Sequence, residues 1–277
     1  MRYVELNTGE RVPALGVGTW RMGENSARRG EEVKVLKLAF DLGLNLVDTA
    51  EMYGEGGAET VVGDAIAGRR DEIFVVSKVY PHNASAAQMP LACEKSLKRL
   101  KIDRIDLYLL HWRGSVPLSE TVAAFERLKA QGKIRQWGVS NFDVSDMDEL
   151  AALPGGGGCV ANQVLYSLEE RGIEWRLLPA SRERRIAVMA YCPLGQGRIV
   201  DDKTLLPIAR KHDVAPATIA LAWLLKNPGV IAIPKTSHEG RLRENAAAAD
   251  LVLDAADLQV LDKAYPPPTR KRPLAMT

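Results

Sequence analysis

The sequence predicts an α/β protein: a single-domain (β/α)8 TIM barrel over residues 1–277, opened by a short N-terminal β-hairpin. Three observations lead there. Eight short apolar runs of strand length recur along the chain, amphipathic stretches of helical period separate them, and the runs are apolar throughout, as in a sheet covered on both faces. Strict alternation of strands and helices implies parallel strands joined by right-handed crossovers, and eight such units favour closure. A chain of 277 residues exceeds the usual single-core length, but α/β barrels reach it as one domain.

In chain order, Tyr3-Val4-Glu5-Leu6 and Arg11-Val12-Pro13 flank the turn-forming cluster Asn7-Thr8-Gly9-Glu10, which predicts the hairpin. Strands are expected over 16–20, 44–49, 73–79, 105–111, 134–140, 162–166, 187–191 and 230–234, where β-branched and aromatic residues concentrate. Apolar residues returning at three- and four-residue steps predict helices, among them 31–42, 86–100, 118–131 and 217–226. The tract Gly155-Gly156-Gly157-Gly158 falls between a helix and the next strand and reads as a flexible loop. From Pro266 to Thr277 a run of prolines precludes a helix, so the tail is expected to lie over the surface or fray.

Composition excludes several classes of function. With 46% hydrophobic and 26% charged residues the chain supports a sizeable core, and a net charge of +2 with interspersed signs offers no polyphosphate-binding surface. Nucleic acid is not an expected partner. Cys93, Cys159 and Cys192 are scattered and odd in number, which fits neither a disulfide framework nor clustered metal-ligand spacing, and a reducing cytoplasm is the expected location. The first twenty residues lack a basic segment followed by an apolar one, and no stretch approaches the ~18 apolar residues of a membrane span, so neither export nor insertion is expected. Nothing demands a protein partner, and a monomer is the expectation. Gly16-Val17-Gly18 resembles the start of a dinucleotide fingerprint, but Arg21 stands three residues after Gly18 and breaks it.

In a barrel, chemistry gathers at the C-terminal ends of strands. Asp48, Lys78 and His111 each close an apolar run, and Tyr53 follows Asp48 by five residues. Singly each has an ordinary explanation: an Asp that caps a turn, a Tyr that packs half-buried, a Lys that snorkels. Together they suit the reduction of a carbonyl, which needs a proton donor for the developing alkoxide and groups that orient the oxygen. A Lys beside a Tyr stabilises the phenolate and is expected to lower the phenol pKa from its ordinary value of ~10. Asp48 would hold Lys78, and a neutral His111 would hydrogen-bond the carbonyl oxygen. Lys78 could alternatively form a Schiff base, as in a lyase or aldolase.

The second region runs from Ile233-Pro234-Lys235-Thr236-Ser237 into a helix carrying Arg241, Glu244 and Asn245. A strand-end Lys, a hydroxyl and an Arg one helical turn further on form a phosphate clamp, aided by the helix N-terminus. Tyr191-Cys192-Pro193-Leu194-Gly195-Gln196-Gly197 adds an aromatic face and a glycine-containing loop that can approach a pyrophosphate closely. Cys192 reads either as a reactive thiol or, preferably, as a packed one.

These segments, from Gly16-Val17-Gly18-Thr19-Trp20 through Asp48-Thr49-Ala50-Glu51-Met52-Tyr53-Gly54 to Ile233-Pro234-Lys235-Thr236, resemble the aldo-keto reductase superfamily over essentially the whole chain. The resemblance implies a catalytic tetrad of Asp48, Tyr53, Lys78 and His111 with Tyr53 as general acid. It implies a nicotinamide site in which Ser140, Asn141 and Gln163 grip the carboxamide and Tyr191 stacks on the ring. Lys235, Thr236 and Arg241 would clamp the adenosine 2′-phosphate, with Glu244 and Asn245 at the adenine, so NADPH/NADP+ is the implied cofactor. Further contacts are implied at Gly18, Thr19, Trp20, Cys192, Pro193, Leu194, Gly195, Gln196, Ile233, Pro234 and Ser237. Within the superfamily the chain looks most like the small bacterial reductases of methylglyoxal and related ketoaldehydes, to judge by 48–54, Ser77-Lys78-Val79-Tyr80-Pro81 and His111-Trp112. Cys192 stands where many relatives carry Ser. Trp20, Tyr80 and Trp112 would wall an apolar substrate pocket, and the short tail after Tyr265 implies an open, permissive mouth. Since some aldo-keto barrels serve as nucleotide-sensing subunits, a non-catalytic role is the remaining alternative, against which the full tetrad argues.

Overall fold

The computed structural model describes all 277 residues. Strands β1 (Tyr3–Glu5) and β2 (Arg11–Pro13) pair antiparallel as the expected hairpin. Eight parallel strands follow: β3 (Val17–Gly18), β4 (Leu46–Asp48), β5 (Phe74–Val79), β6 (Ile105–Leu110), β7 (Ile134–Ser140), β8 (Cys159–Leu165), β9 (Ala187–Tyr191) and β10 (Val230–Ala232). Each pairs with its sequence neighbour, and the ring closes where Gly16 N donates to Ala232 O at 2.9 Å and Gly18 N to Pro234 O at 3.0 Å. This is a (β/α)8 barrel.

The helices are α1 (Arg29–Asp41), α2 (Gly57–Ala65), α3 (Gln88–Leu100), α4 (Leu118–Ala130), α5 (Val144–Ala152), α6 (Leu177–Glu183), α7 (Leu205–His212), α8 (Pro216–Leu225), α9 (Glu239–Ala247) and α10 (Ala255–Ala264). The periodicity that predicted them is the periodicity of burial. In α3, Met89, Ala92, Cys93, Ser96, Leu97 and Leu100 form one buried face, as steps of three and four residues require. Helix α8 differs in being buried all round, from Ala217 to Leu225, because α7 and α9 cover the side that would otherwise face water. No helix is long and apolar enough to cross a membrane.

Strand limits depart from the sequence expectation in a consistent way. β3 and β10 are shorter than 16–20 and 230–234, since their last residues leave the sheet to form the rim. β8 begins three residues earlier than 162, because the chain enters the sheet directly from the tetraglycine turn and Cys159 already pairs with Trp137 of β7. The tetraglycine tract is a packed 3-10 turn, Gly156–Gly158, where a loose loop was expected. A Cβ at Gly156 would lie 1.8 Å from Leu150 O, so the close approach of two backbones requires glycine there.

Candidate active site

Asp48 and Lys78 leave neighbouring strands of the barrel, β4 and β5, at the same end. The Lys78 ammonium, completely buried, donates to Asp48 Oδ2 at 2.8 Å, Thr49 O at 2.9 Å and the Tyr53 hydroxyl at 3.1 Å. The three expected residues therefore form one chain of contacts, carboxylate to ammonium to phenol. His111, the residue after β6, completes the cluster with its ring 5.7 Å from that of Tyr53 and edge-on to it. Burial lowers the His111 pKa to about 2, with the Lys78 cation adding to the effect, so the imidazole is neutral at any ordinary pH. His111 Nδ1 is buried without a partner, which favours the tautomer with its proton on Nε2.

Electrostatics corrects one expectation. Burial raises the Tyr53 pKa more than the Lys78 cation lowers it, with Asp48 adding to the rise, so the net displacement is upward from the ordinary phenol value. Removing a phenolate from water costs more than one adjacent ammonium returns when that ammonium is already neutralised by Asp48. Burial alone would lower the Lys78 pKa, but Asp48 and Tyr53 outweigh it and hold the ammonium above its usual range. Tyr53 thus keeps its proton and Lys78 its charge, and the second result leaves Lys78 a poor Schiff-base nucleophile.

The residues expected at the nicotinamide also converge. Ser140 Oγ donates to Gln163 O at 2.9 Å, Asn141 Nδ2 to His111 O at 3.3 Å, and the Tyr191 hydroxyl to Asn141 Oδ1 at 3.0 Å. Asn141 and Cys192 both have left-handed backbones, with φ of 60° and 47°, and turn sharply off the ends of β7 and β9. The Gln163 amide, expected only as a cofactor contact, donates to Asp48 Oδ1 at 2.7 Å. Asp48 therefore links two sides of the barrel.

At the other edge, Gly18 lies beside Ile233 O and Lys235 Cβ, and Thr19 Oγ1 donates to Asp48 O at 3.0 Å. Burial lowers the Lys235 pKa, Glu32 opposes that, and Arg28 and Arg21 add to it, so two further cations come near Lys235, adding to the Lys235 and Arg241 that the sequence marked. His238 caps α9 without a side-chain hydrogen bond, which leaves the first N–H groups free near Thr236, Ser237 and Arg241. Glu244 is exposed and Asn245 buried on the same helix. Pro193, Leu194, Gly195 and Gln196 form the turn after Cys192, left-handed at Gly195 and Gln196. This set fits an elongated anionic ligand running from Lys235 to Tyr191.

Tyr80 and Trp112 meet edge to face at 6.0 Å, and the Trp112 ring lies 4.9 Å from His111, so both stand at the mouth. Trp20 has no ring contact with that pair and carries Arg21 over its own ring at 4.5 Å. Glu51, not singled out in the sequence, accepts from Tyr80 N at 2.7 Å and Asn83 Nδ2 at 3.1 Å, tying the Tyr53 segment to the Tyr80 loop. Its place inside the 48–54 motif was the available signal; Arg28 carried none, and Arg21 entered only as the residue that breaks the dinucleotide fingerprint. The tail corrects the expectation of an open mouth. Leu274 packs against the core, and Thr277 comes close enough to bear on the Tyr191 phenol, so the tail lies beside the opening.

Comparison with known proteins accords with this geometry. Residues 14–266 match the model of the Aldo/keto reductase family. Methylglyoxal reductase YeaE of Escherichia coli is 49% identical, over 99% of both chains, and a glyoxal reductase of Bacillus subtilis is 35% identical, over 94% of this chain and 91% of its own. Among solved structures, an aldo/keto reductase from Klebsiella pneumoniae in complex with NADP and acetate superposes with a TM-score of 0.97, at 50% identity and 99% coverage of both chains. The extent of these matches, taken with a closed barrel that carries the buried Asp48-Lys78-Tyr53 chain at its rim, establishes that the protein belongs to the aldo/keto reductase family.

Proposed function

We propose that this chain, as a single domain over 1–277, uses NADPH to reduce small aldehydes and ketones of the methylglyoxal type to alcohols, with Tyr53 as general acid. The observation that carries the reading is the buried Lys78 ammonium shared between Asp48 and the Tyr53 hydroxyl beneath a neutral His111. The relatives named above act on methylglyoxal and glyoxal, and the Klebsiella protein binds NADP. The three free cysteines suit a reducing compartment, and the proposal includes a cytoplasmic monomer acting on small molecules.

The bound dinucleotide supplies the hydride. Everything else falls to the chain. Lys235, Arg21, Arg28 and Arg241 offset the phosphate charge, Tyr191 offers a ring face, and Ser140, Asn141 and Gln163 present amide and hydroxyl groups for orientation. His111 Nε2–H donates to the substrate oxygen and directs the carbonyl toward the donor. As the carbonyl carbon gains hydride, its oxygen becomes an alkoxide and takes the phenolic proton of Tyr53; the Tyr53 O–H bond breaks and a new O–H bond forms on the product. The phenolate left behind is stabilised by Lys78 at 3.1 Å and regains its proton from solvent. A phenol with a raised pKa surrenders its proton only to a strong base such as an alkoxide, which couples the two transfers.

The test follows nicotinamide absorbance when the purified protein is mixed with methylglyoxal, with NADPH and NADH in parallel and with Tyr53→Phe beside the wild type. Rapid loss of NADPH, slower loss of NADH, and a Tyr53→Phe variant that binds NADPH but turns over at least about a hundredfold more slowly are expected. NADPH that binds without being consumed across a panel of small aldehydes would favour the nucleotide-sensing role.

A further inference from the structure

We infer that Glu59, outside the catalytic cluster, positions Tyr53 against Lys78. The inference rests on the proposed role of Tyr53 as proton donor. Tyr53 opens a short 3-10 turn, Tyr53–Gly56, whose next three residues are all left-handed, with φ of 56° at Gly54, 52° at Glu55 and 87° at Gly56. Such a segment has no ladder of its own to orient a side chain, and Glu55 is held in a conformation that residues other than glycine adopt reluctantly. Its geometry is therefore imposed from outside.

The restraint comes from the first turn of α2. Glu59 is fully buried; its Oε1 accepts from Ser77 Oγ at 2.5 Å and its Oε2 from Arg99 Nε at 2.6 Å. Ser77 immediately precedes Lys78 in β5, and strand alternation turns the two side chains to opposite faces, Lys78 toward the cluster and Ser77 toward the helix layer. One carboxylate thereby fastens the element that begins just after Tyr53 to the backbone that carries the Lys78 ammonium. Arg99, itself braced on Ser96 Oγ at 3.2 Å, lies against Gly56, where a Cβ would meet it at 2.5 Å. On the opposite side Gly57 touches the backbone of Gly23, whose N–H donates to Glu32 Oε2 at 2.9 Å. Without the Glu59 carboxylate the packing contacts and the Glu51 bonds to the Tyr80 loop remain, but the polar tie between α2, which follows the Tyr53 turn, and the Lys78 strand is lost. Burial pushes the Glu59 carboxyl up, and Arg99 and the Ser77 hydroxyl oppose the rise, so the carboxylate depends on this one partner set to stay charged. Glu59 reaches no reacting atom and is a positioning residue.

The test uses the full chain with Glu59→Ala, Glu59→Gln and Ser77→Ala, measuring kcat and KM for methylglyoxal, NADPH affinity by fluorescence, and the pH dependence of kcat. In Glu59→Ala, kcat is expected to fall about ten- to hundredfold, as displacement of a reacting group by about 1 Å does, with KM and NADPH affinity within about twofold because neither ligand touches Glu59. The alkaline limb of kcat should move to higher pH, since a phenol drawn away from Lys78 loses the contact that lowers its pKa. Glu59→Gln should recover most of the rate, its amide oxygen accepting from Arg99 and its NH2 reaching Ser77 Oγ. Ser77→Ala should act in the same direction as Glu59→Ala, and it decides the matter should Glu59→Ala fail to fold. A folded Ser77→Ala or Glu59→Ala with wild-type kcat and an unmoved alkaline limb, whatever its melting temperature, overturns the role of Glu59 alone. A wild type that consumes no NADPH overturns the reading of the site and this inference with it.

Discussion

Replacing His111 by Gln is expected to abolish a specific loss of stability in mild acid. The folded-state pKa of His111 is pushed down to about 2 by burial and by Lys78, whereas the unfolded chain titrates this residue near ~6.5. A depressed folded pKa leaves stability intact above the unfolded value and erodes it as pH falls toward the folded one. Between pH 7.5 and 5 the unfolded imidazole takes up a proton that the folded one refuses. The linkage slope is about 1.4 kcal/mol per pH unit below ~6.5, which integrates to about 2 kcal/mol at pH 5. This figure does not depend on how far below 5 the folded value lies. Urea unfolding at pH 7.5 and pH 5, followed by tryptophan fluorescence, compares the two proteins. All other titrating groups are common to both, so the wild type should lose about 2 kcal/mol more than His111→Gln across that interval. An equal loss in the two proteins would refute the argument, because it would mean that the folded state also binds a proton at His111. The same neutrality predicts that kcat/KM for methylglyoxal shows no acid limb attributable to His111 between pH 5 and 7.

Two other expectations follow from the edges of the site. The double variant Lys235→Ala, Arg241→Ala should weaken NADPH binding by at least about tenfold while changing NADH far less, since a charge-assisted phosphate contact is worth roughly 1.5–3 kcal/mol; equal weakening of both in a fluorescence titration would remove the 2′-phosphate from this position. Deleting residues 275–277 takes Thr277 away from Tyr191 and leaves Leu274 in its packing, and should shift KM for an aldehyde bulkier than methylglyoxal by at least about threefold at nearly constant melting temperature; unchanged KM values for both substrates would show that the tail is not part of the pocket wall.

Much of this was legible in the chain itself. The eight strands and their amphipathic helices were readable because burial in a barrel imposes local periods, apolar over four to eight residues in strands and steps of three and four in helices. Asp48, Lys78 and His111 were readable because each is a charged or ionisable residue closing an apolar run, which in a parallel barrel is where the rim begins. The segments that lead from Lys235 into α9 and from Tyr191 into its glycine turn were recognisable from composition alone.

Other features depended on pairs of residues whose separation in sequence carries no pattern. Gln163 bonds Asp48 across 115 positions, Glu59 bonds Ser77 across 18, and Thr277 comes to Tyr191 from the far end of the chain. The net direction of the Tyr53 pKa was likewise hidden, because a sequence names the neighbouring cation but not the depth of burial that outweighs it. Which elements form, and which polar groups end them, follows from local periodicity and can be read along the chain. How those groups are wired and how far their charges are shifted depends on the closed barrel, because hydrogen-bond partners and desolvation are set by whatever it brings within about 3 Å.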